Sequence, residues 1–460
     1  VSRYDVIIVG AGPAGIFTAL ELKEKAPHAK VLILEAGKPI DERGKRDVIT
    51  GRGGAGAFSD GKLNLSPHIG GRLLDYVPES ELEKLIDYVH KTYIRFGAGE
   101  FKPRLDPEKV AELEYKAIRA GMKLVPYEVH HMGTEVTREV SKNMYLYLKD
   151  RADIRFHTRV TKILVEDGKA VGVETKNGER FYGDFVVVAP GRFGASRLVK
   201  EAKRIGIKTV PNPVDIGVRV EIPRHIMRHL TDVLYEPKLI YTTKTYDDRV
   251  RTFCVNPQGF VTKEYYDDVV TVNGHAYRYK KSKNTNFAIL VSSRFTEPFN
   301  QPVEYAKHIA RLANMLAGGS VLIQRLIDLL AGRRSTEVRI SRSTIEPTLK
   351  EAVPGDLAYV LPHRHLTDIV EFLEAMEGLV PGILGNGTLL YGVEIKLYSA
   401  RVDVKNTLET KAVERLYTIG DGSGITRSLM QASVSGVIAA RDIASRIRVF
   451  VKNHNPSSSS

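Results

Sequence analysis

The 460-residue sequence predicts an α/β protein: a mainly parallel sheet with a β-meander, interrupted by an inserted domain of sheet and helices. Three stretches predict it. Residues 4–36, YDVIIVGAGPAGIFTALELKEKAPHAKVLILEAG, read as strand, glycine turn, helix and strand. Residues 154–191 alternate apolar and polar residues around Asp167-Gly168 and Asn177-Gly178, the turn dipeptides of hairpins. Residues 416–444, LYTIGDGSGITRSLMQASVSGVIAARDIA, carry a short strand into a second glycine turn and a small-residue helix.

The first stretch is a Rossmann-type dinucleotide-binding unit. An apolar run, Val6 to Val9, feeds a turn in which Gly10 permits the reversal, Gly12 lets backbone N–H groups approach a pyrophosphate, and Gly15 allows close helix packing. Pro13 and Ala14 open the helix, whose N-terminus offers partial positive charge to phosphates. Glu35, followed by Ala36, lies 20 residues beyond Gly15, where a carboxylate accepts from both ribose hydroxyls and disfavours a 2′-phosphate.

Residues 51–65, GRGGAGAFSDGKLNL, hold too many small residues to build a core. A close ligand explains them: Gly53, Gly54 and Ala55 lay N–H groups along a diphosphate or flat ring, and Ser59, Asp60 and Lys62 add polar anchors. Phe58 and Leu63 are expected to be buried beside it. Residues 66–130 read as a helical insertion. The adjacent His130 and His131 point to different sides and lack an acidic or cysteine cluster, so they do not predict a metal.

The meander ends in a buried strand and the turn Ala189-Pro190-Gly191. With the opening unit it resembles the FAD-binding domain of the glutathione-reductase-type flavoproteins, with proline where that family carries threonine. The resemblance implies an adenine contact at Val160. It also implies that Asp421, in Gly420-Asp421-Gly422, bonds the ribityl chain, and that the following helix, with Met430 and Gln431 near its start, faces the pyrimidine end of the flavin. GRGGAGAFSDGKL, RTFCVNPQGFV, VVTVNGHAY, NTNFAILVS, VEIKLYSARV and GDGSG together resemble a little-characterised family of FAD-dependent dehydrogenases. GDGSGITRSL departs from that family's GEGAGYAGGI-like stretch.

What the resemblance implies is an oxidoreductase with non-covalent FAD and a small-molecule substrate. Its FAD domain would span 1–211 and 391–450, with a substrate domain at 212–390 and a disordered tail at 451–460. The substrate pocket is expected between the second domain's sheet and the flavin. No second strand-flanked GxGxxG occurs, so an NAD(P)H that reduces the flavin would visit that pocket transiently. Candidate catalytic groups are Cys254, Glu394 and Lys396, and candidate orienting groups Arg219, Asn256, Asn273, His275 and Arg401. Arg219 and Arg401 would suit a carboxylate or phosphate.

Composition bounds the rest. One cysteine excludes an intrachain disulfide framework, and no apolar run approaches the roughly 18 residues of a bilayer span, so a cytoplasmic protein is expected. The net charge of +13 is scattered rather than clustered, which argues against nucleic acid as partner. A tRNA-modifying flavoprotein and a flavin-dependent isoprenoid reductase are the alternative readings.

Overall fold

The computed structural model describes residues 3–39, 42, 51, 53–266, 268–277, 279–299 and 301–454. The chain forms two compact units: Val1–Phe101 with His130–Asn212 and Tyr398–Ser460, and Lys102–Val129 with Pro213–Leu397.

In the first unit a seven-stranded sheet is built outwards from the strand Arg3–Val9. It pairs in parallel with Val31–Leu34 on one side and Arg180–Val188 on the other, and Asp153–Arg155 extends the sheet beyond Val31–Leu34. Central parallel strands are covered on both faces, which is why Val6, Ile7, Ile8 and the whole of Val31–Leu34 are apolar and buried. One edge of Arg180–Val188 is shared. Its first residues pair antiparallel with Lys169–Thr175, and its last pair in parallel with Leu416–Thr418. The meander continues to Val160–Glu166 through Asp167 (φ 49°) and Gly168 (φ 75°), the two positive dihedrals of a tight hairpin turn.

The helix Pro13–Lys25 starts on a proline, tolerated there because first-turn N–H groups have no intrahelical acceptor. It packs against the long helix Leu429–His454 so closely that a Cβ on Gly436 would lie 2.3 Å from the Ala14 carbonyl oxygen. The expected tail at 451–460 is helical through His454, and 455–460 lie outside the described residues.

The second unit has an eight-stranded sheet in the order Val353–Pro354, Leu322–Arg325, Leu389–Lys396, Val214–Pro223, Asn284–Ser293, Arg249–Asn256, Lys238–Thr242, Lys123–Val125. All neighbours are antiparallel except the first pair. A hairpin, Phe260–Tyr266 with Val269–His275, stands apart from that ladder. Two segments differ from the sequence boundaries. Leu389–Lys396 is buried at all eight positions between two strands of this sheet, and residues 102–129 supply its edge strand and the helix Pro107–Arg119. Alternation reveals that a strand is half or wholly buried, but not which sheet it joins.

Candidate functional site

The strands Arg3–Val9, Val31–Leu34, Arg180–Val188 and Leu416–Thr418 end at one edge of the first sheet, where Val9 is opposite Leu34 and Val188, and Val188 opposite Thr418. Ligands of open α/β sheets bind outside this carboxyl edge. Here four turns meet. Gly10 takes φ 107°, and a Cβ on it would stand 2.1 Å from the Ala189 carbonyl oxygen, so the first turn abuts Ala189-Pro190-Gly191. A Cβ on Gly420 would come within 3.0 Å of the Ala14 Cβ, and one on Gly422 within 2.6 Å of the Gly191 oxygen. A Cβ on Gly54 would lie 3.1 Å from the Gly12 Cα, while Gly53 N–H donates to the Ala11 oxygen at 2.8 Å. The two glycine turns, 410 residues apart in the chain, are neighbours in space.

Glu35 is 7% exposed at the end of its strand. Its Oε2 accepts from Ala11 N–H at 2.8 Å, and its Oε1 from Gly37 N–H at 2.8 Å and Gly51 N–H at 3.0 Å. A carboxylate offers about four acceptor positions, so this one is oriented by backbone and keeps capacity for a hydroxyl. Thr158 N–H donates to the Glu35 carbonyl oxygen at 2.8 Å, which brings the strand carrying Val160 to the same end as Glu35 and Ala36.

Asp421 stands in the Gly420 turn, with Thr426 Oγ1 donating to its Oδ1 at 2.7 Å. Burial pushes its carboxyl upward, against the charges of Arg192 and Arg427 and the Thr426 bond. Sequence reading missed Thr426, Arg192 and Arg427, since no spacing rule ties them to the turn. Ser59 Oγ bonds the Gly56 oxygen at 2.8 Å, and Lys62 is buried beside Asp60 at 3.3 Å. The side chains of Ala55 and Phe58 lie outside the described residues; Leu63 is fully buried.

The side chains of Met430 and Gln431 are buried and otherwise engaged. Gln431 Nε2 donates to the Pro67 and Ile69 oxygens at 3.1 and 2.9 Å, and its Oε1 accepts from Leu73 N–H at 3.4 Å. Gln431 thereby holds segment 67–73 rather than pointing its polar atoms at the turn. His130 Nδ1 shares a 2.9 Å hydrogen bond with His90 Nε2 and stacks on Phe101.

These residues fit an FAD. The start of Pro13–Lys25 lies against Gly54 of the glycine cradle, a backbone-fixed carboxylate ends the neighbouring strand where a ribose diol could bond, and Asp421 lies at the other turn.

In the second unit Cys254, Glu394, Lys396, Arg219, Asn256 and Asn273 do come together, but as a network bonded chiefly to itself. Arg219, wholly buried, gives Nε and Nη2 to Glu394 at 2.7 and 2.6 Å. It gives Nη1 to the Cys254 oxygen and Asn286 Oδ1 at 2.9 and 3.2 Å, and Nη2 to Asn273 Oδ1 at 3.2 Å. All five guanidinium N–H groups are thereby used. Lys396 lies 3.2 Å from both Glu264 and Glu394, and Asn256 Nδ2 donates to Asn286 Oδ1 at 3.2 Å.

Two cations face two carboxylates, and four catalytic or substrate-binding expectations fail on that geometry. Arg219 has no N–H left for a substrate carboxylate. Glu394 is consumed by Arg219. Lys396, although burial opposes its charge, is held protonated by Glu264 and Glu394. Cys254 contributes its carbonyl oxygen, from a bulge where it adopts φ 48°. His275 stacks on Tyr277 at the hairpin end, and Arg401, in the first unit, pairs with Asp75 at 3.3 Å. Glu264 and Asn286 also join the network and were not anticipated; Asn286 accepts through Oδ1, while its buried Nδ2 has no acceptor among the described residues.

Among the described residues, no helix is long and apolar enough to cross a membrane. Residues 213–397 match the family model described as FAD-dependent protein, C-terminal domain-like, and residues 63–268 match flavin containing amine oxidoreductase. An uncharacterised protein of Clostridium beijerinckii is 26% identical over 479 aligned positions, covering 95% of this chain and 80% of its own. Among solved structures, glycine oxidase from Geobacillus kaustophilus is 13% identical with a TM-score of 0.42, over 97% of this chain and 95% of that one. CtdE in complex with FAD and substrate is 14% identical with a TM-score of 0.39, over 98% and 82%.

Proposed function

We propose that this chain is an FAD-dependent oxidoreductase that transfers hydride between an organic small molecule, or NAD(P)H, and an FAD held without a covalent bond. The observation that supports the reading is the meeting of the Gly10, Gly54, Ala189 and Gly420 turns at one carboxyl edge, with Glu35 at one end and Asp421 at the other.

In this reading the helix starting at Pro13 sets its unpaired N–H groups against the diphosphate. Glu35 accepts from the adenosine ribose, and an acid there repels a 2′-phosphate. Asp421 accepts from a ribityl hydroxyl while Thr426 keeps its other oxygen in place. The start of the helix Leu429–His454 supplies partial positive charge toward the ring. FAD, when bound, supplies the hydride acceptor and donor; the protein contributes position and field.

The test is to purify the full chain, quantify released flavin, and mix the oxidised protein anaerobically with NADH, NADPH and a metabolite panel. A yellow protein holding one FAD per chain, bleached by at least one of these, is the expected result. A colourless protein that takes up no FAD sinks the proposal.

A further inference from the structure

Beside Asp421 lies a cation whose surroundings are incomplete. The Arg427 guanidinium carbon sits 3.7 Å from the ring centroid of Tyr398, a face-on stack that fixes the plane of the group. Its Nε is buried and, among the described residues, has no acceptor. Buried guanidinium N–H groups are ordinarily satisfied, so the orphan marks where an acceptor is missing.

The backbone around it is clamped. Arg427 N–H donates to the Gly70 oxygen at 2.8 Å, Arg72 N–H to the Ile425 oxygen at 2.9 Å, and Gln431 holds segment 67–73 in place. Arg427 also precedes by two residues the helix that begins at Leu429. The diphosphate is already served at a different turn, by the N-terminus of Pro13–Lys25.

We propose that Arg427, held flat by Tyr398, donates from Nε to the pyrimidine edge of the isoalloxazine ring and stabilises the negative charge that accumulates there on reduction. The inference rests on the FAD reading above. A planar donor edge suits a planar acceptor edge, and a fixed cation aimed where charge develops needs no reorganisation during transfer. No bond is made or broken by Arg427. A hydride equivalent brings two electrons and one proton to the cofactor, and the arginine pairs with the negative charge left at the opposite edge.

The test compares wild type with Arg427→Ala, Arg427→Gln, Arg427→Lys and Tyr398→Leu, each as the full chain loaded with FAD. Three quantities are read: FAD affinity, the two-electron midpoint potential, and affinity for sulfite, whose addition to a flavin is favoured by the same positive charge. Arg427→Ala and Arg427→Gln should weaken sulfite binding at least tenfold and lower the potential by about 30 mV per tenfold change. Arg427→Lys should recover part of both, and Tyr398→Leu should fall between.

Unchanged sulfite affinity and potential in a flavin-loaded Arg427→Gln protein overturn the proposal. So does a loss of FAD affinity with the potential unmoved, which assigns Nε to the diphosphate instead. Should Arg427→Ala not fold, the Gln variant, neutral but longer and polar, carries the same readouts. A wild-type chain that takes up no FAD overturns the cofactor reading and this one together, whereas a loaded wild type beside unchanged variants overturns this one alone.

Discussion

The carboxyl edge of the first sheet and the Arg219 network of the second unit treat buried charge in opposite ways. At the carboxyl edge of the first sheet, polar atoms are oriented but not used up: Glu35 is aimed by three backbone N–H groups, and Arg427 keeps a buried Nε that has no acceptor among the described residues. In the second unit Arg219, Glu394, Lys396 and Glu264 close on one another. Another carboxyl, Glu221, is similarly enclosed. Tyr391 and Thr348 hydroxyls donate to it at 2.5 and 2.6 Å, and burial pushes its pKa up. Residue type alone does not mark a site; what matters is whether hydrogen-bonding capacity is left over.

The sharpest way to break the contrast is Glu394→Leu, which strands a buried Arg219. Removing one partner of a buried pair costs about 3–5 kcal/mol, whereas replacing both by apolar groups is often near neutral. Urea unfolding should therefore show a large loss for Glu394→Leu and a much smaller one for Arg219→Met/Glu394→Leu. Equal losses in both would mean the network is not closed as described.

Glu35→Gln should act on ligand rather than fold. An amide loses the charge and turns one acceptor into a donor facing backbone N–H groups, so FAD affinity should fall roughly 10- to 100-fold, the ~1.5–3 kcal/mol of a hydrogen bond to a charged group. Flavin fluorescence titration reads it, and an unaltered dissociation constant would remove Glu35 from the cofactor site.

Acid should separate the units more gently. In the first, burial and the neighbouring His130 lower His90 from 6.5 to about 4, so unfolding takes up a proton between those values and stability falls as pH drops through that window. In the second, burial lowers His365 likewise to about 4. There Asp368 is raised from 3.8 to about 6 by burial and by Asp248, despite a bond from Thr243. The folded state then holds the extra proton, so this group's contribution grows as pH falls from 6 to 3.8 and offsets the histidine. Hydrogen exchange at pH 7 and pH 5 should show protection lost around His90 and His130 at the lower pH; unchanged protection there would contradict the assignment.

Smallest is Cys254→Ala. The network uses that residue's carbonyl, which alanine retains, so stability should change by less than about 1 kcal/mol and flavin reduction not at all. A large fall in turnover would restore the thiol as a reacting group.

Much of the first unit was legible because its signals are local. Gly10, Gly12, Gly15 and Glu35 sit at fixed spacings, and the Gly420 turn repeats the strand, glycine and helix pattern. Gln431 was misread for the opposite reason: its partners are some 360 positions away in segment 67–73. In the second unit Asp215, Arg219 and Glu221 share one face of Val214–Pro223, as Glu394 and Lys396 share one face of Leu389–Lys396. That period-two pattern is visible in sequence, and an exposed polar face is its commoner meaning. Only the register, with Gly217 opposite Glu394 and Asp215 opposite Lys396, turns it into a buried network.

The pairing of Leu416–Thr418 with Arg180–Val188, and of the helix Leu429–His454 with Pro13–Lys25, has a consequence for biosynthesis. The ribosome releases the first halves of both partnerships hundreds of residues before the second halves exist. Until the closing segment emerges, the face of Pro13–Lys25 that carries Ala14 and Thr18 must wait uncovered, a window in which a chaperone or an unwanted neighbour can reach it first.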